Sequence, residues 1–248
     1  ASDVYKRQGD TSIALSMISD DSFYMEMKKD YAPEMVTAFI RLNGATVGCV
    51  ANRSEVYTDG EKTATYDAAL TAAGCEKAAA FVNFCNAFEI PVLTLVNVDG
   101  YKNCKCNEKK IAKAAARLTY AFANADVPKV TVVVGKANGT AGLTMNSKSI
   151  GSDIVYAWKN AKIGVMEAAP AVKIMYADEI AKADNAAALI NEKAAQYNEM
   201  QASALAAAKR GYVDDIIEAS ETRQRVVAAF EMLFTKREDR PSKKHGTI

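Results

Sequence analysis

The sequence predicts an α/β fold in which parallel strands alternate with helices, and three stretches of the chain carry that prediction. Val36 to Leu42 alternates apolar and polar residues, and after Asn43-Gly44 the chain continues through Ala45 to Ala51 in strand-like composition. From Ala72 to Val98 and again from Asn107 to Val134, a stretch with helical apolar spacing leads into a short apolar run. Asp153 to Trp158 and Lys162 to Met166 then read as two short strands separated by a turn, so the repeating unit is two strands followed by a helix.

Each element has a local cause. Asn43-Gly44 tolerates positive φ at both central turn positions, which predicts a β-hairpin with a type I′ turn. Ala78, Phe81, Val82, Cys85 and Phe88 recur at helical spacing, and Pro91 closes the linker into the buried strand Val92 to Val98. The next helix runs from about Asn107 to Asn124, breaks at Pro128, and leads to the strand Lys129 to Val134. A glycine-containing turn should follow, with a short helix from near Gly139. After Pro170 the chain is rich in Ala, Glu and Lys, predicting long helices at about Ala186 to Lys209 and Glu221 to Lys236 that pack on the sheet or on a partner. The tail Arg237 to Ile248 is charged, contains Pro241, and reads as a solvated, mobile terminus. Residues 1–21 are expected as a leader, partly non-native or the remnant of a linker, because Ala1 to Gln8 fit no downstream pattern. Residues 22–248 would then form the domain.

Composition narrows the partners. The 248 residues carry 31 basic and 30 acidic side chains, a net charge of +1. That balance supplies no counterion-release drive toward nucleic acid or an anionic membrane. Half the residues are hydrophobic, ample for one large domain or two small ones. Apolar runs such as Val132 to Val134 fall far short of the roughly 20 residues that span a bilayer. Cys49, Cys75, Cys85, Cys104 and Cys106 contain no C-x-x-C pair and His245 is the single histidine, so neither a disulfide framework nor a metal site is expected. With no secretory signal pattern at the start, this predicts a reducing, cytoplasmic location.

The strongest site candidate is the passage from Val130 through Lys136-Ala-Asn-Gly-Thr-Ala-Gly142, a buried strand entering a helix through small residues. At Gly139, Thr140 and Ala141 free backbone N–H groups can approach a ligand oxygen and stabilise negative charge developing on it. An ordinary glycine-bearing connection is the alternative. Neither G-x-G-x-x-G nor a P-loop pattern occurs. A second candidate is the turn Val98-Asp-Gly-Tyr101, which would place Gly100 and Tyr101 at the carboxyl end of a parallel strand, where open α/β sheets bind ligands. The following Cys104-Lys-Cys106 could hold a thiolate lowered by Lys105, although such a pair is ordinarily plain loop. His245, in Lys243-Lys-His-Gly246, has no visible acid or nucleophile beside it. No nucleophile elbow, Ser/His/Asp set or carboxylate pair is present, so any chemistry rests on backbone electrostatics and positioning.

Many short segments together resemble the C-terminal half of biotin-dependent carboxyltransferases, the group containing the β subunits of propionyl-CoA and acetyl-CoA carboxylases and the α subunits of acyl-CoA decarboxylases. They include Arg41-Leu-Asn-Gly44, Val50-Ala-Asn52, Ala87-Phe-Glu-Ile-Pro91, Val127-Pro-Lys-Val-Thr-Val132, Ser147-Lys148, Asp153, Ala157-Trp158, Arg210-Gly-Tyr-Val-Asp214, Thr222-Arg223 and Lys243-Lys-His-Gly246. The resemblance implies a crotonase-like (ClpP/crotonase) superhelix of strand-strand-helix units with a helical C-terminal region. It further implies a homo-oligomeric trimer of dimers whose sites form between an N-terminal half and a C-terminal half. The partners would be a biotin carboxyl carrier domain and the N-terminal carboxyltransferase half or same-family subunits.

By that resemblance the chain supplies the biotin side of the site, with biotin carried by a partner protein, an acyl-CoA as substrate, and no metal. The family's Gly-Gly-Ala maps to Gly139, Thr140 and Ala141, whose N–H groups would hold the biotin ureido oxygen. Leu143 falls where the family tunes acyl-chain preference, and Gly100 and Tyr101 fall in the neighbouring substrate-binding turn. Asn138 and Gly142 replace two tyrosines, Thr140 a glycine, Asp99 a proline, and Lys102 to Cys106 a loop bearing proline and glycine. The activity implied is carboxyl transfer between biotin and an acyl-CoA of the propionyl-CoA/methylmalonyl-CoA type. The alternatives are a decarboxylase α subunit and a non-catalytic crotonase-like assembly module.

Overall fold

The computed structural model describes residues 9–58 and 60–238. The expectations for Ala1 to Gln8, for His245 with Lys243-Lys-His-Gly246, and for the tail beyond Glu238 lie outside the described residues. In chain order, α1 (Thr11–Ile18) precedes β1 (Tyr24–Glu26), the hairpin β2 (Met35–Leu42) and β3 (Ala45–Asn52), the strands β4 (Glu55–Thr58) and β5 (Glu61–Thr65), and β6 (Ala69–Leu70). Helix α2 (Ala72–Ala87), β7 (Val92–Val98), β8 (Gly100–Tyr101), α3 (Lys105–Asn124), β9 (Lys129–Asn138) and α4 (Gly139–Thr144) follow. The last third contains β10 (Ile154–Trp158), β11 (Lys162–Gly164), α5 (Ala168–Met175), α6 (Ala177–Lys182), α7 (Ala186–Met200), α8 (Ala204–Lys209), β12 (Asp215–Ile217) and α9 (Thr222–Met232).

The main sheet has the order β1-β2-β3-β7-β9-β10-β12, and β11 also pairs with β9. Strands β1 to β3 are antiparallel neighbours, whereas β3, β7, β9, β10 and β12 run parallel. The hairpin turn is the one expected, with φ of +50° at Asn43 and +79° at Gly44. Strand residues alternate between two apolar layers. Val130, Val132 and Val134 face one layer with Leu15 of α1 and Val226 of α9. Val133 and Ala137 face the other, with Val82 and Cys85 of α2 and Leu118 and Phe122 of α3. Burial on both faces explains why β7 and β9 read as continuous apolar runs.

Many segments that carried the resemblance hold this frame. Trp158 Nε1 donates to Thr222 Oγ1 at 2.9 Å in the core. Asp153 accepts from Lys129 N at 2.8 Å and from Lys236 Nζ at 2.9 Å. Asp214 accepts from Lys148 Nζ and from Val155 N, both at 2.8 Å, tying β10 to the loop before β12.

Several expectations change. The glycine turn after Val134 does not form: β9 continues through Gly135 to Asn138 and pairs with β11. The cause is Asn97, whose Oδ1 accepts from Lys136 N at 3.1 Å and occupies the space a side chain at position 135 would need. The single helix expected over Ala186 to Lys209 is two helices. Ala202 O accepts from Ile163 N at 2.8 Å, and Ser203 caps α8 through Ala206 N. Cys104 and Cys106 are not plain loop either, since Cys104 is the N-cap of α3 and Cys106 lies in its first turn. The stretch expected as leader contributes α1, with Leu15 fully buried against the sheet. Among the described residues no helix is long and apolar enough to cross a membrane, and no cluster of three or more His, Cys, Asp or Glu could hold a metal ion.

Candidate functional site: the turn from β9 into α4

Strand β9 delivers Asn138 to the start of α4, where the backbone reverses over small residues. Gly139 has φ of +58°, and a Cβ there would lie 3.0 Å from Val165 O, so a side chain is excluded by both conformation and space. A Cβ on Gly142 would meet the Ala137 carbonyl carbon at 2.7 Å, which is how the first turn of α4 packs directly on the end of β9. The first-turn N–H groups of such a helix have no partner four residues back.

Gly139, Thr140, Gly142 and Leu143 line a cavity of about 540 Å³. Most of its remaining lining is apolar, including Val133, Met145, Val155, Ile163 and Val165, and Tyr197, Arg210 and Tyr212 reach it from the C-terminal helical region. Arg210 is held by donating to Gln201 O at 2.8 Å. Ser147 also lines this cavity, and its buried Oγ has no hydrogen-bond partner among the described residues. The geometry is thus an apolar recess with backbone N–H groups along one wall. A largely apolar recess of this kind, with a helix start in its wall, can take an apolar ligand that carries an oxygen acceptor.

The candidate residues divide. Gly139, Thr140 and Leu143 come together at the cavity, with Leu143 exposed. Ala141 does not line it, because its side chain packs into the core beside α2 and α3. Gly100 and Tyr101 lie elsewhere: β8 pairs with β6, placing Tyr101 beside a second cavity of about 390 Å³ with Thr119 and Thr144. Tyr101 reaches α4 from behind, its hydroxyl 3.1 Å from Thr144 Oγ1.

Sequence reasoning missed a polar cluster beneath the turn. Asn138 Nδ2 donates to Asp99 Oδ1 at 3.1 Å, tying the end of β9 to the turn after β7. Lys136 Nζ bridges Asp99 at 2.9 Å and Glu167 at 2.6 Å. Burial pushes the Lys136 ammonium down, but hydrogen bonds to Glu167 and Asp99 outweigh it and the net shift is upward. No spacing signal could have found this cluster, since Asp99, Lys136 and Glu167 come from three separate segments.

The cysteines fall into two groups. Cys49, Cys75 and Cys85 are buried, and burial pushes the thiols of Cys75 and Cys85 up to about 12. Cys104 and Cys106 are accessible with their sulfurs 2.9 Å apart. The Cys104 thiol is lowered first by its hydrogen bond with Cys106, then by the Asn107 backbone, with a smaller contribution from the charge of Lys102; Lys105, the expected source, is not among the leading causes.

Residues 3–248 match the carboxyl transferase domain family. The methylmalonyl-CoA carboxyltransferase 12S subunit of Propionibacterium freudenreichii subsp. shermanii is 40% identical over 244 residues, covering 98% of this chain and 45% of that protein. The methylmalonyl-CoA decarboxylase subunit alpha of Propionigenium modestum is 40% identical over 241 residues, covering 94% of this chain and 44% of that protein. A crystal structure of transcarboxylase 12S, a hexamer with methylmalonyl-coenzyme A and methylmalonic acid bound, superimposes with a TM-score of 0.87 at 41% identity, over 96% of this chain and 44% of that one. The crotonase-like fold is therefore shared, and the chain spans less than half the length of these relatives.

Proposed function

The chain belongs to the carboxyl transferase family, and from that premise we propose that it is the biotin-side half of a carboxyltransferase of the propionyl-CoA/methylmalonyl-CoA type. The observation that carries the proposal is the cavity at the β9–α4 turn, in a chain 40% identical to the 12S subunit across nearly all of its length. Biotin delivered by a carrier domain supplies a carboxyl group on a ring nitrogen. The residues of this chain bind and polarise: Gly139 and Thr140 offer N–H donors to the ureido oxygen as negative charge builds on it, Ala141 anchors their turn in the core behind them, and the apolar walls exclude water. Leu143, exposed at the cavity mouth, contacts the acyl group. Tyr101 positions α4 from behind through Thr144, and Gly100 gives it the strand that does so.

A complete site requires the N-terminal carboxyltransferase half or another same-family subunit. Ile174, Met175 and Met200 are apolar and exposed on the helical region, which supports a homo-oligomeric arrangement. A decarboxylase α subunit is the second reading, favoured by the equal identity to the Propionigenium modestum protein. A non-catalytic assembly module is the third, favoured by the changed residues Asn138 to Gly142.

The test is carboxyl transfer from carboxybiotin to propionyl-CoA with the N-terminal half supplied. Thr140→Pro deletes one donor N–H and should lower the rate on the order of 10²- to 10³-fold. Thr140→Ala keeps the N–H and should leave the rate nearly unchanged. Equal turnover in both variants would remove the donor role, and no transfer by the unaltered pair would favour the assembly module.

A further inference from the structure

We propose that Cys104 and Cys106 form a thiol–disulfide exchange site that accepts a small-molecule disulfide as oxidant and closes reversibly into a Cys104–Cys106 disulfide. Inside an α-helix, residues two apart point about 200° away from each other around the axis, so a Cys-x-Cys pair there cannot meet. Here the first cysteine sits at the N-cap of α3 with extended backbone, φ −154° and ψ 150°, and this turns its side chain toward the second helical residue. The two Sγ atoms come to 2.9 Å. The backbone needs no rearrangement to keep them there, because Cys104 O already accepts from Asn107 N at 2.9 Å and from Glu108 N at 3.0 Å.

Accessibility makes the pair selective. Cys106 is exposed and Cys104 partly so, while the other three cysteines are buried with no path for a soluble oxidant. Cys104 is the attacking sulfur, because it stands at the N-cap of the twenty-residue helix α3, where the helix N-terminus favours the nucleophilic thiolate. In the first step the Cys104 thiolate attacks one sulfur of the disulfide RSSR, forming Cys104–S–S–R and releasing RS⁻. In the second, the Cys106 thiolate attacks Cys104 Sγ, forming the internal disulfide and releasing the second RS⁻. The two protein thiols lose two protons and two electrons, and RSSR is reduced to two RSH. Excess thiol reverses both steps.

Trypsin reads the outcome directly, because Lys105 stands between the two cysteines. In the reduced chain, cleavage after Lys105 separates them. After incubation of the full chain with glutathione disulfide, the expected result is a loss of two hydrogens in intact mass, with the Cys104 and Cys106 fragments joined and Cys49, Cys75 and Cys85 still free. Cys106→Ser should instead accumulate a persistent glutathione adduct on Cys104. Cys104→Ser should form no cross-link and acquire adduct more slowly. A stable adduct on the unaltered chain without joined fragments, adduct forming equally fast on either single variant, or no reaction at disulfide concentrations that modify the unfolded chain would each overturn the proposal.

Discussion

Asp99 and Asn138 come from separate segments and touch beneath the turn, and their contact predicts that they are energetically coupled. Asn138 is almost wholly buried, and its amide donates to an Asp99 carboxylate that is 31% exposed. A hydrogen bond to a charged group contributes about 1.5–3 kcal/mol when shielded, and partial exposure of the carboxylate brings this to about 1 kcal/mol. Asp99→Ala and Asn138→Ala should therefore each destabilise the fold. The double variant should lose about 1 kcal/mol less than the sum of the two, because the shared bond can be lost only once. Urea midpoints at constant slope measure this, and in a chain of this size about 1 kcal/mol moves the thermal midpoint by roughly 2–4 °C. Losses that add to within about 0.3 kcal/mol would refute the coupling.

Gly142→Ala sets a Cβ 2.7 Å from a backbone carbon of Ala137, so it should cost about 1–3 kcal/mol in urea unfolding and shift the Gly139 amide resonance. Trp158→Phe leaves Thr222 Oγ1 without its buried donor and opens space beside it; a loss of about 2 kcal/mol is expected, checked by thermal unfolding. Lys136 has a raised folded-state pKa, so its stabilisation is fully present below the ordinary lysine value of about 10.4 and is lost as pH rises through the folded value. The stability gap between the unaltered chain and Lys136→Met should be constant from neutral pH to about pH 10 and shrink above it, as measured by urea unfolding across that range.

The sheet and its two covering helices were legible because β7, α2, α3 and β9 are sorted by burial alone. Val82, Cys85, Leu118 and the valines of β9 must be apolar wherever the rest of the chain goes. What escaped was decided by contacts distant in sequence. The path of β9 through Gly135 depends on the Asn97 side chain from the neighbouring strand. Strand β12 has three residues, too few for a periodicity to show, and it exists because β10 offers it an edge. Helix α1 was masked by its place beside residues that fit no pattern, yet Asp10 marks its start by accepting from Ser12 N at 3.2 Å. The site was half legible: Gly139 announced the close approach, while Asp99, Lys136 and Glu167 beneath it gave no joint signal. Ala141 kept its place in the turn, and only the packing of its methyl against the helix layer removed it from the cavity wall.

Helix α7 is fifteen residues long and buries none of them. Its ties to neighbouring helices include Lys193, which pairs with Glu179 at 3.4 Å and lies 4.4 Å over the Tyr176 ring. An isolated helix of that length is marginal in water, and such surface contacts add only tenths of a kcal/mol each. Opening this segment therefore costs far less than unfolding the sheet, and the molecule has at least two levels of cooperativity. In native-state amide exchange the α7 amides should trade their protons through a local opening, orders of magnitude sooner than Val132 or Leu95 at the centre of the sheet. A surface that covers Met200 and its neighbours would slow that exchange first, so amide protection of α7 doubles as a gauge of assembly.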